Sequence, residues 1–229
     1  MNAPIDFERA RFNMIEQQIR PWDVLDLEIL ELLSLVRREE FVPVALKALA
    51  FTDMQIPLMQ PADEAIAQGH SMLEPKVEAR MLQDLQVRHV DKVLEVGAGS
   101  GYMAALLANR AQRVISLELQ PDLVRMARSN LQRAGIGNAE VREADGAKGL
   151  PGEGPFDVIV LSGSVAEVPP ALLAQLKVGG RLGAVVGFDP IMRATFITRT
   201  GETAYTTAQP WDTMAPRLVH FIEPSRFHF

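Results

Sequence analysis

The amino-acid sequence predicts an α/β fold: a doubly wound, mostly parallel seven-stranded sheet with an N-terminal helical extension. Amphipathic segments without strands precede residue 52, and short apolar runs alternate with helical segments from residue 93 to 186. Two more apolar runs follow with no helix between them. Alternating strands and helices are typical of a parallel sheet with helices on both faces. The last two runs predict an antiparallel pair at its edge.

The composition is that of an ordinary globular protein. Hydrophobic residues make up 48% and charged residues 23% of the 229 positions, the formal net charge is −6, and there is no cysteine. The negative charge argues against a nucleic-acid partner, and the lack of cysteine excludes disulfides and thiol catalysis. No signal peptide and no apolar window long enough for a membrane helix is visible. We therefore expect a cytoplasmic protein that binds neither nucleic acid nor membrane, and the spacing of its histidines predicts no metal site.

The N-terminal region is predicted to be a helical cap. Its expected helices are 6–19, 26–37 and 44–51. Apolar residues recur there at helical spacing. Pro21 ends the first helix, because proline cannot continue it, and Asp26 is a suitable N-cap for the second.

Segment 52–75 has no clear period and contains several prolines, yet it is apolar. Long loops of this kind in compact domains are usually functional, so we interpret the segment as a lid or wall on the substrate side; the alternative is a purely structural loop. We predict two units: residues 1–75 as cap and substrate-side loop, and residues 76–229 as one compact ligand-binding α/β core.

The rest of the chain supplies the sheet. Its predicted strands are 93–96, 113–118, 139–143, 156–161, 181–186, 194–199 and 218–222. The predicted helices are 76–87, 102–110, 121–134 and 169–176. Short apolar runs are typical of buried strands, and Gly135 stands where the helix 121–134 should stop.

A glycine-rich turn follows the first strand. Gly97, Gly99 and Gly101 occupy alternate positions, and Glu95 stands two residues before them. A strand that runs into such a turn and then into a helix is typical of nucleotide-like ligand sites, because glycine lets the backbone turn sharply and approach the ligand. A dinucleotide fingerprint would have glycine where Tyr102 stands, so the turn resembles motif I of the Rossmann-like class I S-adenosylmethionine (SAM)-dependent methyltransferases. The candidate cofactor-binding residues here are Glu95, Gly97, Ala98, Gly99, Ser100 and Gly101.

Acidic residues also end the second and third predicted strands. Glu118 lies about 20 positions after the first glycine, where a carboxylate can accept hydrogen bonds from ribose hydroxyls. Asp145 and Gly146 resemble the methyltransferase element that meets adenine. The plainer alternatives are a solvated acid and a common Asp-Gly turn, but beside the glycine turn we favour a cofactor role. The further candidate cofactor-binding residues are Glu118, Leu119, Asp145 and Gly146.

Several segments outside the glycine turn narrow the family. They are 14–19 (Met-Ile-Glu-Gln-Gln-Ile), 38–43 (Arg-Glu-Glu-Phe-Val-Pro), 50–53 (Ala-Phe-Thr-Asp), 56–58 (Ile-Pro-Leu), 93–108 and 176–182 (Leu-Lys-Val-Gly-Gly-Arg-Leu). In them the chain resembles the protein-L-isoaspartate (D-aspartate) O-methyltransferases over nearly its full length. The resemblance implies SAM as methyl donor, S-adenosyl-L-homocysteine as product, and a peptide or protein partner that is methylated on the free carboxylate of isoaspartyl residues.

One segment departs from that family. Where the family carries a sequence close to Gly-Gln-Thr-Ile-Ser-Gln-Pro, residues 69–75 read Gly-His-Ser-Met-Leu-Glu-Pro. The resemblance assigns the catalytic positions to Ser71, which keeps a hydroxyl, and to Leu73, which replaces a serine near the acceptor carboxylate. If Leu73 faces the pocket, isoaspartyl activity should be low and should partly recover in Leu73→Ser. If Leu73 packs away from the pocket, Ser71 serves instead.

Other functions stay open. Leu73 is also compatible with a methyltransferase for another substrate, such as a small carboxylate or a hydroxyl compound, and with a catalytically weak SAM-binding module. Tyr102 and Glu95 disfavour a nicotinamide-dependent oxidoreductase, and the net charge of −6 disfavours a tRNA methyltransferase.

Overall fold

The computed structural model describes residues 6–224 and begins with the predicted helical extension. Its helical segments are α1 (Phe7–Met14), a π-helical stretch (Ile15–Ile19), a 3₁₀ turn (Arg20–Trp22), α2 (Leu27–Leu35) and two 3₁₀ segments (Arg38–Glu40 and Val44–Phe51). Asp6 accepts a hydrogen bond from the Arg9 backbone N–H at 3.1 Å, and Asp26 accepts one from that of Glu28 at 2.9 Å. Each carboxylate satisfies an otherwise unpaired N–H group at a helix start.

Segment 52–75 is more regular than predicted. It contains β1 (Ile56–Pro57), α3 (Ala62–Ala67) and β2 (Ser71–Met72), and β1 pairs antiparallel with β2. The prediction of a loop without regular structure was wrong, because two-residue strands and a six-residue helix are too short to produce a period in the sequence.

The seven-stranded sheet is present as predicted. Its strands are β3 (Lys92–Val96), β4 (Arg113–Glu118), β5 (Ala139–Glu143), β6 (Phe156–Val165), β7 (Leu176–Phe188), β8 (Ile191–Arg199) and β9 (Tyr205–Thr213). They lie in the order β5-β4-β3-β6-β7-β8-β9; β3 to β7 are parallel, and β8 and β9 are added antiparallel. The winding reverses between β3 and β6. Open α/β sheets bind ligands at such a switch point, beyond the carboxyl ends of the strands.

The predicted strand 218–222 is wrong, and the seventh strand is β9. Most of β9 is exposed at the sheet edge and only Trp211 is buried, so its sequence lacks the apolar pattern of a core strand. The apolar residues of 218–222 instead form an irregular segment, in which His220 adopts a left-handed backbone with φ of 66°. Such a conformation interrupts an extended strand.

Four α-helices flank the sheet. They are α4 (Pro75–Leu85), α5 (Tyr102–Arg110), α6 (Pro121–Arg133) and α7 (Pro170–Leu173), the last shorter than predicted because β7 begins three residues after it. Alternate strand residues belong to different core clusters: Val93 packs with α4, α5 and the N-terminal extension, and Leu94 packs with α7 and the C-terminal residues. No helix within residues 6–224 is long and apolar enough to cross a membrane.

The predicted boundary between residues 75 and 76 stays a prediction. Contacts cross it: the Gln83 side-chain oxygen accepts hydrogen bonds from the backbone N–H groups of Leu25 and Asp26 at 2.8 and 3.0 Å. The outer ends of both predicted units, residues 1–5 and 225–229, lie outside the described residues.

Candidate active site

A cleft of about 660 Å³ opens beyond the carboxyl ends of β3, β4 and β5. Its size lies within the range of small-molecule sites. One side, which we call the strand wall, consists of residues 96, 97, 99, 117–120 and 144–146. The opposite side, the outer wall, consists of Gln55, residues 66–71 and residues 214–219 and 221. Ser162, within β6, also lines the cleft.

The glycine turn divides its residues between ligand space and packing. Gly97 and Gly99 line the cleft, each with a positive φ that favours glycine. Gly101, at φ of 83°, turns away from the cleft; a Cβ there would lie 3.2 Å from Ala127 on α6. Ala98 and Ser100 do not line the cleft either. The structure therefore brings two of the six predicted turn residues to the cleft surface.

Glu118 ends β4 on the strand wall, where its carboxylate is held by backbone N–H groups. Oε2 accepts from Gly99 at 2.8 Å, and Oε1 accepts from Leu119 at 2.8 Å and from Gln120 at 3.0 Å. A carboxylate has about four acceptor positions, so it can still accept from a ligand. Glu118 and Leu119 thus both lie in the predicted place, and Glu118 also fixes the glycine turn to the end of the next strand.

Asp145 and Gly146 follow β5 on the same wall. Asp145 Oδ1 accepts from the backbone N–H of Ala147 at 3.0 Å, and its Oδ2 lies 2.9 Å from Nδ1 of His220. The Ala147 N–H, and to a lesser degree His220, hold the pKa of Asp145 below its usual range. Gly146 is required by packing, since a Cβ there would lie 2.3 Å from a methyl carbon of Val96.

Glu95 does not line the cleft. It is fully buried below the cleft floor, where its two carboxylate oxygens accept hydrogen bonds from Ser116 Oγ at 2.5 Å and Ser162 Oγ at 2.8 Å. Burial raises the pKa of Glu95 to about 7, although both serines favour the ionised form. The structure thus separates Glu95 from those predicted cofactor residues that line the cleft.

The two predicted catalytic positions also separate. Ser71 lines the cleft, and its Oγ donates to Gln55 Oε1 at 3.1 Å. Leu73 is buried in the core, and its carbonyl accepts from the guanidinium of Arg38. Its side chain lines a separate small cavity that Ser162 borders as well. Of the two possibilities raised by the sequence, packing of Leu73 away from the cleft is the one observed.

Sequence reasoning missed the C-terminal part of the outer wall. Residues 214–221 run along the cleft. Leu218 packs against the strand wall, and a Cβ on Gly97 would lie 3.1 Å from the Leu218 Cδ2. The apolar run 218–222 was visible in the sequence but pointed to a strand. Ser162 was visible only as the residue after an apolar strand.

The family of the chain follows from comparison with known proteins. A family model described as protein-L-isoaspartate(D-aspartate) O-methyltransferase matches residues 9–211. The chain belongs to this family. The match confirms the resemblance inferred from the sequence, and with it the class of SAM-dependent methyltransferases. It ends before the C-terminal part of the outer wall begins.

Curated relatives of the family match most of the chain. A protein-L-isoaspartate O-methyltransferase of Methanoculleus marisnigri is 41% identical over 179 residues, which cover 78% of each chain. One of Syntrophobacter fumaroxidans is 40% identical over 197 residues, covering 86% of this chain and 88% of the relative.

Solved structures of the family share the fold. A protein-L-isoaspartate O-methyltransferase superposes with a TM-score of 0.76 at 23% identity, covering 91% of this chain and 65% of that longer chain. A Plasmodium falciparum protein described as a beta-aspartate methyltransferase, in complex with S-adenosyl-L-homocysteine, gives 0.74 at 19% identity and covers 93% of this chain and 98% of that one. They confirm the predicted fold class.

Proposed function

We propose that this protein transfers the methyl group of SAM to the free carboxylate of isoaspartyl residues in peptides and proteins. The observation that carries the proposal is the cleft itself. It joins two acidic strand ends, Glu118 and Asp145, to a glycine turn on one side and faces the hydroxyl of Ser71 on the other. Membership of the family supports the same reaction.

The chemistry of the strand wall fits SAM. Glu118 has acceptor capacity left for ribose hydroxyls, and Asp145 has it for the exocyclic amine of adenine. Gly97 and Gly99 offer backbone without side chains, so a ligand can approach closely. In this proposal Glu95 serves the cofactor only indirectly, because its carboxylate is occupied by serines below the cleft floor.

The reaction needs no general base. Bound SAM supplies a methyl carbon on a sulfonium, which forms a C–O bond with the carboxylate as the C–S bond breaks and its electron pair stays on sulfur. The acceptor is already ionised near neutral pH, so the protein has only to bind it, orient it in line and exclude water. Ser71 and Gln55, joined at 3.1 Å on the outer wall, are suited to orient the acceptor.

The alternative of a weak SAM-binding module loses its support. It depended on Leu73 occupying the pocket in place of a hydroxyl, and Leu73 does not line the cleft. A different carboxylate acceptor would use the same geometry, so the experiment must separate acceptors.

The test uses labelled SAM and two peptides of identical composition, one with an isoaspartyl residue and one with the normal aspartyl linkage. We expect methyl transfer to the isoaspartyl peptide alone. Isothermal titration with SAM, S-adenosyl-L-homocysteine and NAD accompanies it, and we expect the first two to bind. SAM binding without transfer to the isoaspartyl peptide would contradict the proposed acceptor; binding of NAD alone would contradict the proposed reaction.

A further inference from the structure

Ser162 connects the cleft to the small cavity beneath it. The cavity, of about 10 Å³, lies between Leu73, Glu78 on α4 and Ser162 on β6. Of the residues that line this cavity, Ser162 alone also lines the main cleft. The cavity is about the size of one water molecule. Ser162 is thus the residue through which a hydroxyl on β6 borders both the cavity and the cleft.

We propose that Ser162 is a substrate-contacting residue that supplies the hydroxyl for the acceptor carboxylate, and that Glu95 is the residue that positions it. The proposal rests on the proposed function. In this proposal the acceptor hydroxyl comes from β6, and Leu73 borders the same small cavity without contributing one.

The location of Ser162 supports this role. Leu161 of β6 pairs with Val96 of β3, so the residues that come next, Ser162 within β6 and Gly97 after β3, lie side by side at the switch point of the sheet. The Ser162 carbonyl oxygen lies 3.5 Å from the point where a Cβ of Gly97 would stand. Ser162 therefore lies against the glycine turn proposed to hold the methyl donor. Ser71, which the proposed function also places at the acceptor, lies on the opposite, outer wall of the cleft.

The protonation state of Glu95 determines the direction in which the Ser162 hydroxyl donates its hydrogen bond. When Glu95 is ionised, Ser162 donates to it at 2.8 Å and offers only lone pairs to the cleft. When Glu95 is protonated, its own hydrogen can be donated to a serine oxygen, and the Ser162 hydrogen is free to be donated to a carboxylate. A carboxylate acceptor should therefore bind better to the protonated form.

Burial and two neighbouring acids favour the protonated form of Glu95, and together they outweigh the two serines, which favour the ionised form. Among residues 6–224, Ser116 on β4 and Ser162 on β6 are the bonded partners of its carboxylate and no cation is bonded to it. The charges that face it, Glu78 on α4 and Glu118 on β4, are both acidic. Burial raises the pKa of Glu95 to about 7, so Glu95 gains or loses its proton within the pH range of ordinary assays.

The test compares Ser162→Ala, Leu73→Ser and the double variant with the parent on the isoaspartyl peptide. Removing a donor that acts on the reacting group costs about 10²-fold or more in rate. We expect such a fall in kcat/KM for Ser162→Ala, with the affinity for SAM changed less than about threefold. Leu73→Ser in the Ser162→Ala background should restore part of the rate, because it returns a hydroxyl to the same cavity. Binding of the peptide to the S-adenosyl-L-homocysteine complex should weaken and recover in parallel.

Ser164→Ala is the matched control. Ser164 lies two residues further along β6, is fully buried, and its hydroxyl has no hydrogen-bond partner within the described chain. It does not line the cleft, so its variant should keep parental activity. The positioning role predicts that Glu95→Gln, which cannot ionise, removes the fall in kcat/KM of the parent above about pH 7.

The outcomes separate the two proposals. A parent active on the isoaspartyl peptide together with an equally active Ser162→Ala would overturn the role of Ser162 and leave the proposed function intact. An unchanged pH profile in Glu95→Gln would overturn the positioning role. A parent that binds SAM but does not methylate or bind the isoaspartyl peptide overturns the proposed function, and the assignment of Ser162 with it.

Discussion

The strand wall and the outer wall of the cleft are built in different ways. On the strand wall, neighbouring strand ends are joined by short hydrogen bonds, such as the one from the backbone N–H of Gly99 to the side-chain carboxylate of Glu118. On the outer wall, segments far apart in the chain meet: a Cβ on Gly69 would lie 3.1 Å from Pro216. The strand wall is therefore a property of the sheet, whereas the outer wall depends on long-range packing.

The difference extends to the residues behind the walls. Arg38, fully buried, donates from Nε to the Ala50 carbonyl at 3.1 Å, from Nη2 to the carbonyl of Leu73 and from Nη1 to Glu78. A residue of the N-terminal extension thus holds both ends of segment 52–75 against α4. Behind the strand wall the buried acid is Glu95, whose hydrogen-bond partners within the described part of the chain are two serines rather than a cation.

The largest effect is expected from Arg38→Ala. It leaves Glu78 buried without its cation and frees the carbonyls of Ala50 and Leu73, and breaking one buried ion pair in this way costs about 3–5 kcal/mol. Urea unfolding measures the loss. Arg125→Ala is the control, because its ion pair with Asp122 is more than half exposed and should contribute less than about 1 kcal/mol.

Equal losses in the two arginine variants would show that the outer wall does not depend on this buried contact. The Arg38→Ala variant could also be strongly destabilised and still bind SAM with parental affinity. That result would show that the strand wall binds SAM independently of the outer wall.

The two walls were also unequally predictable from sequence. Gly97, Glu118 and Asp145 could be located because a parallel sheet brings successive strand ends together, and their spacing identifies the ends. For Leu73 the sequence left two possibilities open, because resemblance to a family motif gives a position in the chain and not the direction of the side chain. Residues 218–222 were predicted as a strand from their apolar run, whereas the irregular segment that they form is fixed by long-range packing rather than by local pattern.

Glu95→Gln should change how stability depends on pH. The pKa of Glu95 is raised from 4.5 to about 7, so the folded state holds this proton more tightly than the unfolded state. Its contribution to stability is therefore complete below pH 4.5 and is lost as the pH rises to about 7. Between pH 5.5 and 8.5 we expect the parent to lose about 2 kcal/mol more than Glu95→Gln. Unfolding titrations at both pH values measure this; parallel curves would contradict a buried, protonated Glu95.

Glu118→Ala tests the strand wall directly. It removes a charged acceptor from the proposed ribose site, and hydrogen bonds to charged groups contribute roughly 1.5–3 kcal/mol. We expect SAM affinity to fall on the order of 10–100-fold in isothermal titration. Glu143→Ala is the control, since this exposed acid ends the neighbouring strand without lining the cleft. Parental affinity in Glu118→Ala would mean that the ribose assignment is wrong.

The smallest effect is expected where the two walls touch. His220 on the outer wall lies 2.9 Å from Asp145 on the strand wall, and both side chains are at least half exposed. An exposed pair of this kind contributes up to about 1 kcal/mol, so His220→Ala should weaken SAM binding by at most about fivefold, because the end of the outer wall is then less firmly held over the cleft. Titration of SAM into the parent, His220→Ala and His89→Ala measures it, and the exposed His89, which does not line the cleft, should have no effect. Tighter binding in His220→Ala would reverse the interpretation: His220 would then compete with the adenine amine for Asp145, and the contact would block the site instead of closing it.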